Sequence, residues 1–265
     1  MMQETVTIAD VNAAITASRK ISRDVSVITF ECPEIALAAR PGNFVNIKVN
    51  ASTQPLLRRP FSIHDVRGTS IDIMAKTIGI GTTILADSPC SAAMQVLGPL
   101  GNSFDCSDPS LETALLVSGG IGAAPMLFLE KKLTGMGTAC INYLGGRTSE
   151  DLLQENLSNC RIATDDGSAG FRGTVVDLLA NDITTLKSKG NLKVFACGPN
   201  PMLKAVAVFC RTHAIPCELS LESVMGCGIG ICYGCSVEVR TPDGGIGTIL
   251  LCREGPVIDG ERLVL

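Results

Sequence analysis

Three cysteines and four glycines fall within the eleven residues MGCGIGICYGC, Met225–Cys235. Cys227, Cys232 and Cys235 are spaced C-x4-C-x2-C, and Cys252 follows after sixteen intervening residues. Four thiolates at this plant-type spacing suit a [2Fe-2S] cluster. Gly226, Gly228, Gly230 and Gly234 suit it too, because a chain wrapped around a cluster brings bare backbone against it, with positive φ where needed and amides free to bond sulfur. Bulk at Gly228 or Gly230, where the backbone would hug the inorganic sulfurs, should therefore impair assembly. Zinc is the competing occupant, although structural zinc sites usually pair their ligands two to four residues apart in both halves, and here the fourth cysteine stands alone. Cys32, Cys90, Cys106, Cys140, Cys160, Cys210 and Cys217 sit singly and read as small buried hydrophobes, kept as thiols in a reducing compartment.

Four other segments carry residues suited to phosphate or nucleotide. In Leu57–Ile63, LRRPFSI, paired arginines beside a proline-fixed backbone and a hydroxyl suit bidentate binding of phosphate, or else form a surface basic pair ahead of a strand. In Met74–Thr83, MAKTIGIGTT, Gly79 and Gly81 allow a close turn and Thr82 stands where it could cap a helix over TTILAD, whose first amides would attract an anion. Ser118–Pro125, SGGIGAAP, follows an apolar run and precedes a helical pattern. It carries Gly120-x-Gly122 but has Pro125 in place of the third glycine of a dinucleotide fingerprint. Ala196–Met202, ACGPNPM, lies at the end of another apolar run, which places Cys197 at the ligand-binding edge of an open α/β sheet.

The elements that must position these segments change character once. Up to about residue 105, short runs with alternating apolar positions (DVSVITFE, GNFVNIKV, TSIDIMAK, AAMQVLG) suggest an antiparallel barrel. Beyond it, strands such as ALLVSGG, ACINYLGG and LKVFACG alternate with helical patterns (APMLFLEKKLTG, SEDLLQENL after a capping box at Thr148, GTVVDLLAND, PMLKAVAVFCRTH), which implies a parallel sheet. From CELSLES onward, strand and turn return. The expected domains are residues 1–107, 108–216 and 217–265. With 265 residues, 46% of them hydrophobic, and a net charge of -4, the chain can bury a large core and lacks the basic surplus that nucleic acid or an anionic membrane would call for. The opening MMQETVTIAD, with Glu4 and Asp10, does not read as a secretory signal, and no apolar run approaches the roughly 20 residues of a bilayer span, so the expected compartment is the cytoplasm.

Taken in order, RRPFS, the glycine-threonine turn, GPLGNSF, GGIGAAP, CGPNPM and MGCGIGICYGC resemble the motifs of the ferredoxin-reductase-like flavoproteins. From about residue 10 to the C-terminus the chain is more closely similar to the electron-transfer subunits of dihydroorotate dehydrogenase B. That resemblance implies a β-barrel plus α/β architecture: an FAD-binding antiparallel barrel, a Rossmann-like NADH domain and a small C-terminal [2Fe-2S] lobe. It places Arg59, Pro60, Phe61 and Ser62, then Met74, Ala75 and Lys76, then Gly81 and Thr82 along FAD, with Arg59 at the pyrophosphate. Gly120, Gly122 and Cys197 fall where the nicotinamide dinucleotide docks, and Cys227, Cys232, Cys235 and Cys252 hold the cluster. Relatives often carry a larger or basic residue where this chain has Ala75, so there the contact implied is mainly that of the backbone.

The implied function is a relay from NADH through FAD and the cluster to the FMN of a separate catalytic subunit that converts dihydroorotate to orotate, in a heterotetramer of two of each. An alternative on the same fold is a subunit of another flavoprotein complex that reduces ferredoxin or sulfide with NAD(P)H. A zinc-stabilised binding module is the alternative from a different class. The relay needs no acid–base pair, which suits a chain whose two histidines, His64 and His213, stand beside no nucleophile. Arg147, after Gly145-Gly146, could face a 2′-phosphate, the adenine or solvent, so NADH is implied over NADPH by the resemblance alone.

Overall fold

A computed structural model describes residues 7–264; Glu4 of the N-terminal reading and Leu265 of the last apolar run lie outside them. The first half comprises β1 (Ala9–Lys20), β2 (Val25–Glu31), the short helix α1 (Pro33–Ala38), β3 (Phe44–Lys48), β4 (Arg59–Arg67), β5 (Ser70–Lys76), α2 (Ile80–Asp87) and β6 (Ala93–Leu100). The six strands close into an antiparallel barrel in the order β1-β2-β5-β4-β3-β6. Alternation decides which side chains fill it: Ile28 and Phe30 of β2, Ile47 of β3, Ile63 of β4 and Ile71 and Ile73 of β5 are fully buried together. The intervening residues of β2 are buried as well, because Val25 and Val27 pack with Met74 against Ala123, Ala124 and Leu153 of the second half. Both faces of that strand are therefore covered, one by the barrel interior and one by the neighbouring domain.

The second half runs through β7 (Thr113–Gly119), a 3-10 turn over Gly120–Ala123, α3 (Met126–Gly135), β8 (Ala139–Gly146), β9 (Cys160–Thr164), β10 (Phe171–Arg172), α4 (Val175–Lys187), β11 (Leu192–Cys197) and α5 (Asn200–His213). Its central strand β7 is buried throughout, with Leu115 and Val117 facing α4 and α5, and Ala114 and Leu116 facing α3. A continuous apolar run is what a parallel strand sandwiched between helices requires. α4 begins with a reciprocal box in which Thr174 Oγ1 accepts from Asp177 N–H at 3.1 Å and Asp177 Oδ2 accepts from Thr174 N–H at 3.0 Å. α5 ends in a left-handed residue, Ala214, two residues before Pro216.

One expected helix is not there. Thr148 does cap a turn, but only Ser149–Asp151 is helical, as a single 3-10 turn. Leu153 is drawn into the contact with the barrel and Asn156 takes a φ of 55°, so the chain leaves the helical path before a second turn can form.

The remainder comprises β12 (Cys217–Ser220), β13 (Ser236–Arg240), β14 (Ile246–Leu250), the single turn α6 (Leu251–Glu254) and β15 (Val257–Asp259). β12 pairs parallel to β11 and β15 antiparallel to β12, completing a seven-stranded sheet in the order β10-β9-β8-β7-β11-β12-β15. The cysteine loop and the β13–β14 hairpin lie between β12 and β15 in the chain. No helix among the described residues is long and apolar enough to cross a membrane.

The GPLGNSF segment joins this lobe to the barrel. Asn102 Nδ2 donates to the carbonyls of Val257 (2.7 Å) and Glu254 (3.1 Å), and its Oδ1 accepts from Val257 N–H at 2.9 Å. One amide side chain thus satisfies three backbone groups of the chain that leaves Cys252. Replacing it strands those groups, at about 1–3 kcal/mol for each one buried. Asn102→Ala should therefore lower the midpoint of urea unfolding and raise amide exchange around residues 252–257, while Asn12→Ala, at an exposed position of β1, should do neither.

Candidate functional site

Two cavities open side by side along the carboxyl edge of the parallel sheet, where ligands of open α/β sheets bind. The first, of about 600 Å³, is lined from the barrel by Arg59, Pro60, Phe61 and Ser62 of β4, Met74 and Lys76 of β5, and Gly81 and Thr82 of α2. From the other side it meets Cys197 at the end of β11 and Glu222 just beyond β12. The second, of about 750 Å³, is lined by Gly120, Gly145, Gly146, Arg147, Gly198 and Glu222 among others. Lys76, Ile121 and Glu222 line both, so the cavities adjoin there.

The two arginines of the RRPFS segment do not act as one fork. Arg58 is committed to Asp10, which it grips bidentately at 2.9 and 3.0 Å. Arg59 turns instead toward the start of α2, bonding the Leu57 carbonyl, and a side chain on Gly81 would come within 2.9 Å of its Nε. Its guanidinium and the free amides at the helix start therefore face the same space. Helix α2 starts two residues earlier than TTILAD. Gly79 is its N-cap, and Thr82 sits in the first turn, where its Oγ1 accepts from the amides of Ile78 (2.9 Å) and Gly79 (3.1 Å). Lys76 forms an ion pair of 3.4 Å with Asp24. Ala75 lies in the barrel core with no part in either cavity wall.

The Gly120-x-Gly122 turn divides its labour. Gly120, at φ 54°, lines the second cavity; Gly122 lines neither, and instead lets the turn pack directly on the Cys197 carbonyl. Cys197 is buried, and burial, followed by the Glu222 carboxylate, pushes its thiol up to about 12. It is a neutral thiol at physiological pH. The protein around Glu222 pushes that carboxyl upward as well, although water still reaches it through the open cavity mouth.

His64 lies on the same strand as Arg59 and Ser62, and no solvent reaches it. Its Nδ1 is 2.7 Å from the Ala124 carbonyl, and burial lowers its pKa, so it is a neutral ring donating from Nδ1. The adjacent Asp65 accepts from Lys131 of α3 at 2.6 Å. Strand β4 therefore carries the cavity residues at one end and holds α3 at the other.

In the cysteine loop the amides of Ile229, Ile231 and Cys232 point at Cys227 Sγ, at 3.5, 3.4 and 3.4 Å. Burial would raise the Cys227 thiol, but these amides outweigh it and hold it down at about 6. Gly234 N–H reaches Cys232 Sγ at 3.5 Å, and Cys252 N–H reaches Cys235 Sγ at 3.4 Å. Cys252 is pushed up to about 12, by burial and then by its neighbour Cys235. Cys227 with Cys232, and Cys235 with Cys252, thus stand as two adjacent pairs, the division of four thiolates that suits two irons. Among the described residues, no three His, Cys, Asp or Glu side chains gather as they would around a single ion.

Gly228 and Gly230 have φ of 76° and 84°. A side chain on Gly228 would meet Asn46 Nδ2 at 2.5 Å, and one on Gly230 would strike Arg253. The crowding at these positions comes from Asn46 and Leu100 of the barrel and from Arg253. The loop's exposed apolar residues are Ile229, Ile231 and Tyr233. Of the single cysteines, Cys32, Cys210 and Cys217 are buried and Cys106, Cys140 and Cys160 half-buried, whereas Cys90 is exposed, in the turn before β6.

Glu222, Ser220 and Ile121 were not singled out from the sequence. Ser220 ends the four-residue strand β12 and Glu222 lies just beyond it, so the end of a parallel strand is the one available signal.

Residues 222–264 match the family described as the iron-sulfur cluster binding domain of dihydroorotate dehydrogenase B. The chain is 34% identical over 260 residues to the dihydroorotate dehydrogenase B (NAD(+)) electron transfer subunit of Desulforamulus reducens, covering 96% of this chain and 97% of that protein. It is 36% identical over 258 residues to the subunit of the same name from Bacillus caldolyticus, covering 95% and 97%. Among solved structures it resembles an NADH-dependent reduced ferredoxin-NADP oxidoreductase studied for flavin-based electron bifurcation, with a TM-score of 0.80, 26% identity, and coverage of 96% of this chain and 90% of that one. These likenesses bear out the family and the fold read from the motifs.

The thiol chemistry gives a direct test. A thiolate alkylates and a thiol does not, so below its raised pKa of about 12 Cys197 should stay unreactive. Iodoacetamide treatment of the native chain at pH 8, read by peptide mass spectrometry, should label exposed Cys90 and leave Cys197 unmodified until denaturant is added. Labelling of Cys197 at the rate of Cys90 would contradict the enclosed, neutral thiol.

Proposed function

Because the chain belongs to the family of dihydroorotate dehydrogenase B electron transfer subunits, we infer that it relays electrons between NAD(H) and a catalytic partner subunit through FAD and a [2Fe-2S] cluster: the two electrons released when dihydroorotate becomes orotate end on NAD+, and flow the other way starts from NADH. The observation that carries this reading is the spatial order of the sites. The nucleotide-side cavity adjoins the barrel-side cavity at Lys76, Ile121 and Glu222. Met225, two residues before Cys227, and Pro256, four after Cys252, also line the barrel-side cavity. The barrel-side cavity therefore borders both the nucleotide-side cavity and the chain on either side of the cysteine ligands.

FAD held in the barrel-side cavity would exchange electrons in pairs with the nicotinamide and singly with an iron-sulfur centre, and the protein's own part is to bind and orient. We assign Arg59, with Gly81 and Thr82 at the start of α2, to the FAD pyrophosphate, and Pro60, Phe61, Ser62, Met74 and Lys76 to the flavin end, with Ala75 between the last two packed into the barrel core. Gly120 faces the NADH dinucleotide from the second cavity, Cys197 stands on the barrel-side cavity where the nicotinamide end would meet the flavin, and Gly122 supports the turn. Cys227, Cys232, Cys235 and Cys252 hold the cluster, with amides directed at their sulfurs. In this division residues 1–107 serve FAD, 108–216 serve NADH and 217–265 serve the cluster, β12 and β15 of the last segment being laid into the nucleotide sheet. The partner's acceptor is FMN, in a cytoplasmic heterotetramer of two of each chain, and its catalytic subunit docks where Ile229, Ile231 and Tyr233 leave apolar surface beside the cluster ligands.

The 26% likeness to an NADH-dependent reduced ferredoxin-NADP oxidoreductase favours a second reading, in which the acceptor is a ferredoxin. One experiment separates the two. The isolated chain should reduce an artificial acceptor with NADH yet form no orotate from dihydroorotate, whereas with the catalytic subunit added dihydroorotate should be oxidised to orotate as NAD+ is reduced. Orotate formed by the isolated chain would overturn the division of labour; turnover with ferredoxin but not with the catalytic subunit would select the second reading.

Arg59→Ala should weaken FAD retention by about 1.5–3 kcal/mol, the range for a hydrogen bond to a charged group, which is roughly ten- to hundredfold in Kd. Undiminished flavin content after desalting would sink the assignment. Cys232→Ser should remove or strongly perturb the [2Fe-2S] absorption while sparing NADH-driven flavin reduction, and Cys160→Ser should alter neither; a normal cluster spectrum in Cys232→Ser would exclude that ligand.

A further inference from the structure

One side chain touches both the FAD-side strand pair and the cysteine loop. Asn46 lies in β3, wholly buried, where the pairing of β3 with β6 shifts register. On the other side of β3 it is the register partner of Pro60 in β4, and its carbonyl accepts from Arg58 at 3.4 Å. Its side chain reaches out of the barrel wall. Nδ2 donates to the Cys227 carbonyl at 3.1 Å, and Gly228 is packed against the same nitrogen. Oδ1 is buried without a partner.

An unpartnered buried acceptor costs about 1–3 kcal/mol. Leucine, of nearly the same size, would avoid that cost, so packing alone does not account for asparagine here. What asparagine does and leucine cannot is hold the Cys227 carbonyl. That carbonyl belongs to the peptide between Cys227 and Gly228, and the next amides along the loop, of Ile229, Ile231 and Cys232, are those aimed at Cys227 Sγ. If the 227–228 peptide turned, those amides would leave the sulfur. Hydrogen bonds to ligand sulfur are among the levers that set the potential of an iron-sulfur centre, because they stabilise its more negative, reduced form.

We propose that Asn46 is a positioning residue for electron transfer: by holding the Cys227 carbonyl from the barrel, it fixes the amides around Cys227 Sγ and keeps the potential of the cluster high enough to accept electrons. The proposal rests on the assignment of a [2Fe-2S] cluster to the four cysteines.

The test compares the full-length chain with Asn46→Leu, which removes the donor, and Asn46→Asp, which replaces the donor with an acceptor. Iron, sulfide and FAD are quantified, the cluster and flavin potentials are titrated, and the reduced cluster is examined by electron paramagnetic resonance. Both variants should keep FAD, reduce it with NADH within about twofold of the wild-type rate and leave the flavin potential in place. Their cluster potential should fall by the equivalent of at least tenfold in the reduction equilibrium, about 59 mV for one electron, with altered g-values. Wild-type potential and g-values in a fully loaded Asn46→Leu would overturn the proposal. Should that variant hold no iron, Asn46→Asp decides in the same way, and loss of iron from both with FAD intact would make Asn46 an assembly residue and equally overturn it. A wild-type chain without an iron-sulfur spectrum would overturn the functional reading instead.

Discussion

The bond from His64 to the Ala124 carbonyl fixes where the barrel meets the α/β sheet, and the placement of both cavities depends on that seam. Around it Val25, Val27 and Met74 bury themselves against Ala123, Ala124 and Leu153, and Asp65 accepts from Lys131. Apolar contact alone is non-directional and would let the two halves slide. A buried imidazole with one short bond and no water to replace it does not tolerate such a slide, because breaking the bond would leave two polar atoms unsatisfied. Since β4 also carries Arg59 and Ser62, the seam and the barrel-side cavity are positioned by one strand.

The same economy appears at the cluster end. Asn102 ties the chain after Cys252 to the end of the barrel, and Gly101 at φ 71° lets the two backbones approach there. A short polar side chain suits this task because it bonds several backbone groups at once with few rotamers to freeze. The charged residues of the region are spent elsewhere, as with Arg58 held by Asp10.

Much of this was legible along the chain. The four cysteines, the strand-turn-helix glycines and the RRPFS segment are local signals, because each depends on residues close in sequence. What the sequence concealed lies across long separations: Asn46 meets Cys227 at a distance of 181 residues, and Asn102 meets Glu254 at 152. No spacing rule announces such a contact. Local signals also mislead where tertiary packing intervenes. The capping box at Thr148 is real, yet Leu153 is worth more against the barrel than in a helix, and the paired arginines look alike until Asp10 takes one of them. Cys90 reads in the sequence as a small buried hydrophobe, yet it occupies an exposed turn.

The pairing of Ser220 with Val257 has a topological implication. Residues 221–256 are the grossly enlarged tip of a β-hairpin whose two stems are neighbouring strands of the nucleotide sheet. A segment inserted in this way has both ends anchored within one ladder spacing, so it cannot swing on a tether as a terminally appended domain does. The metal-bearing portion can consequently be lost, exchanged or enlarged without disturbing strand order, since a short turn would close the stems. In the intact chain the spacing between successive electron carriers is a fixed property of the scaffold, not an average over domain motion.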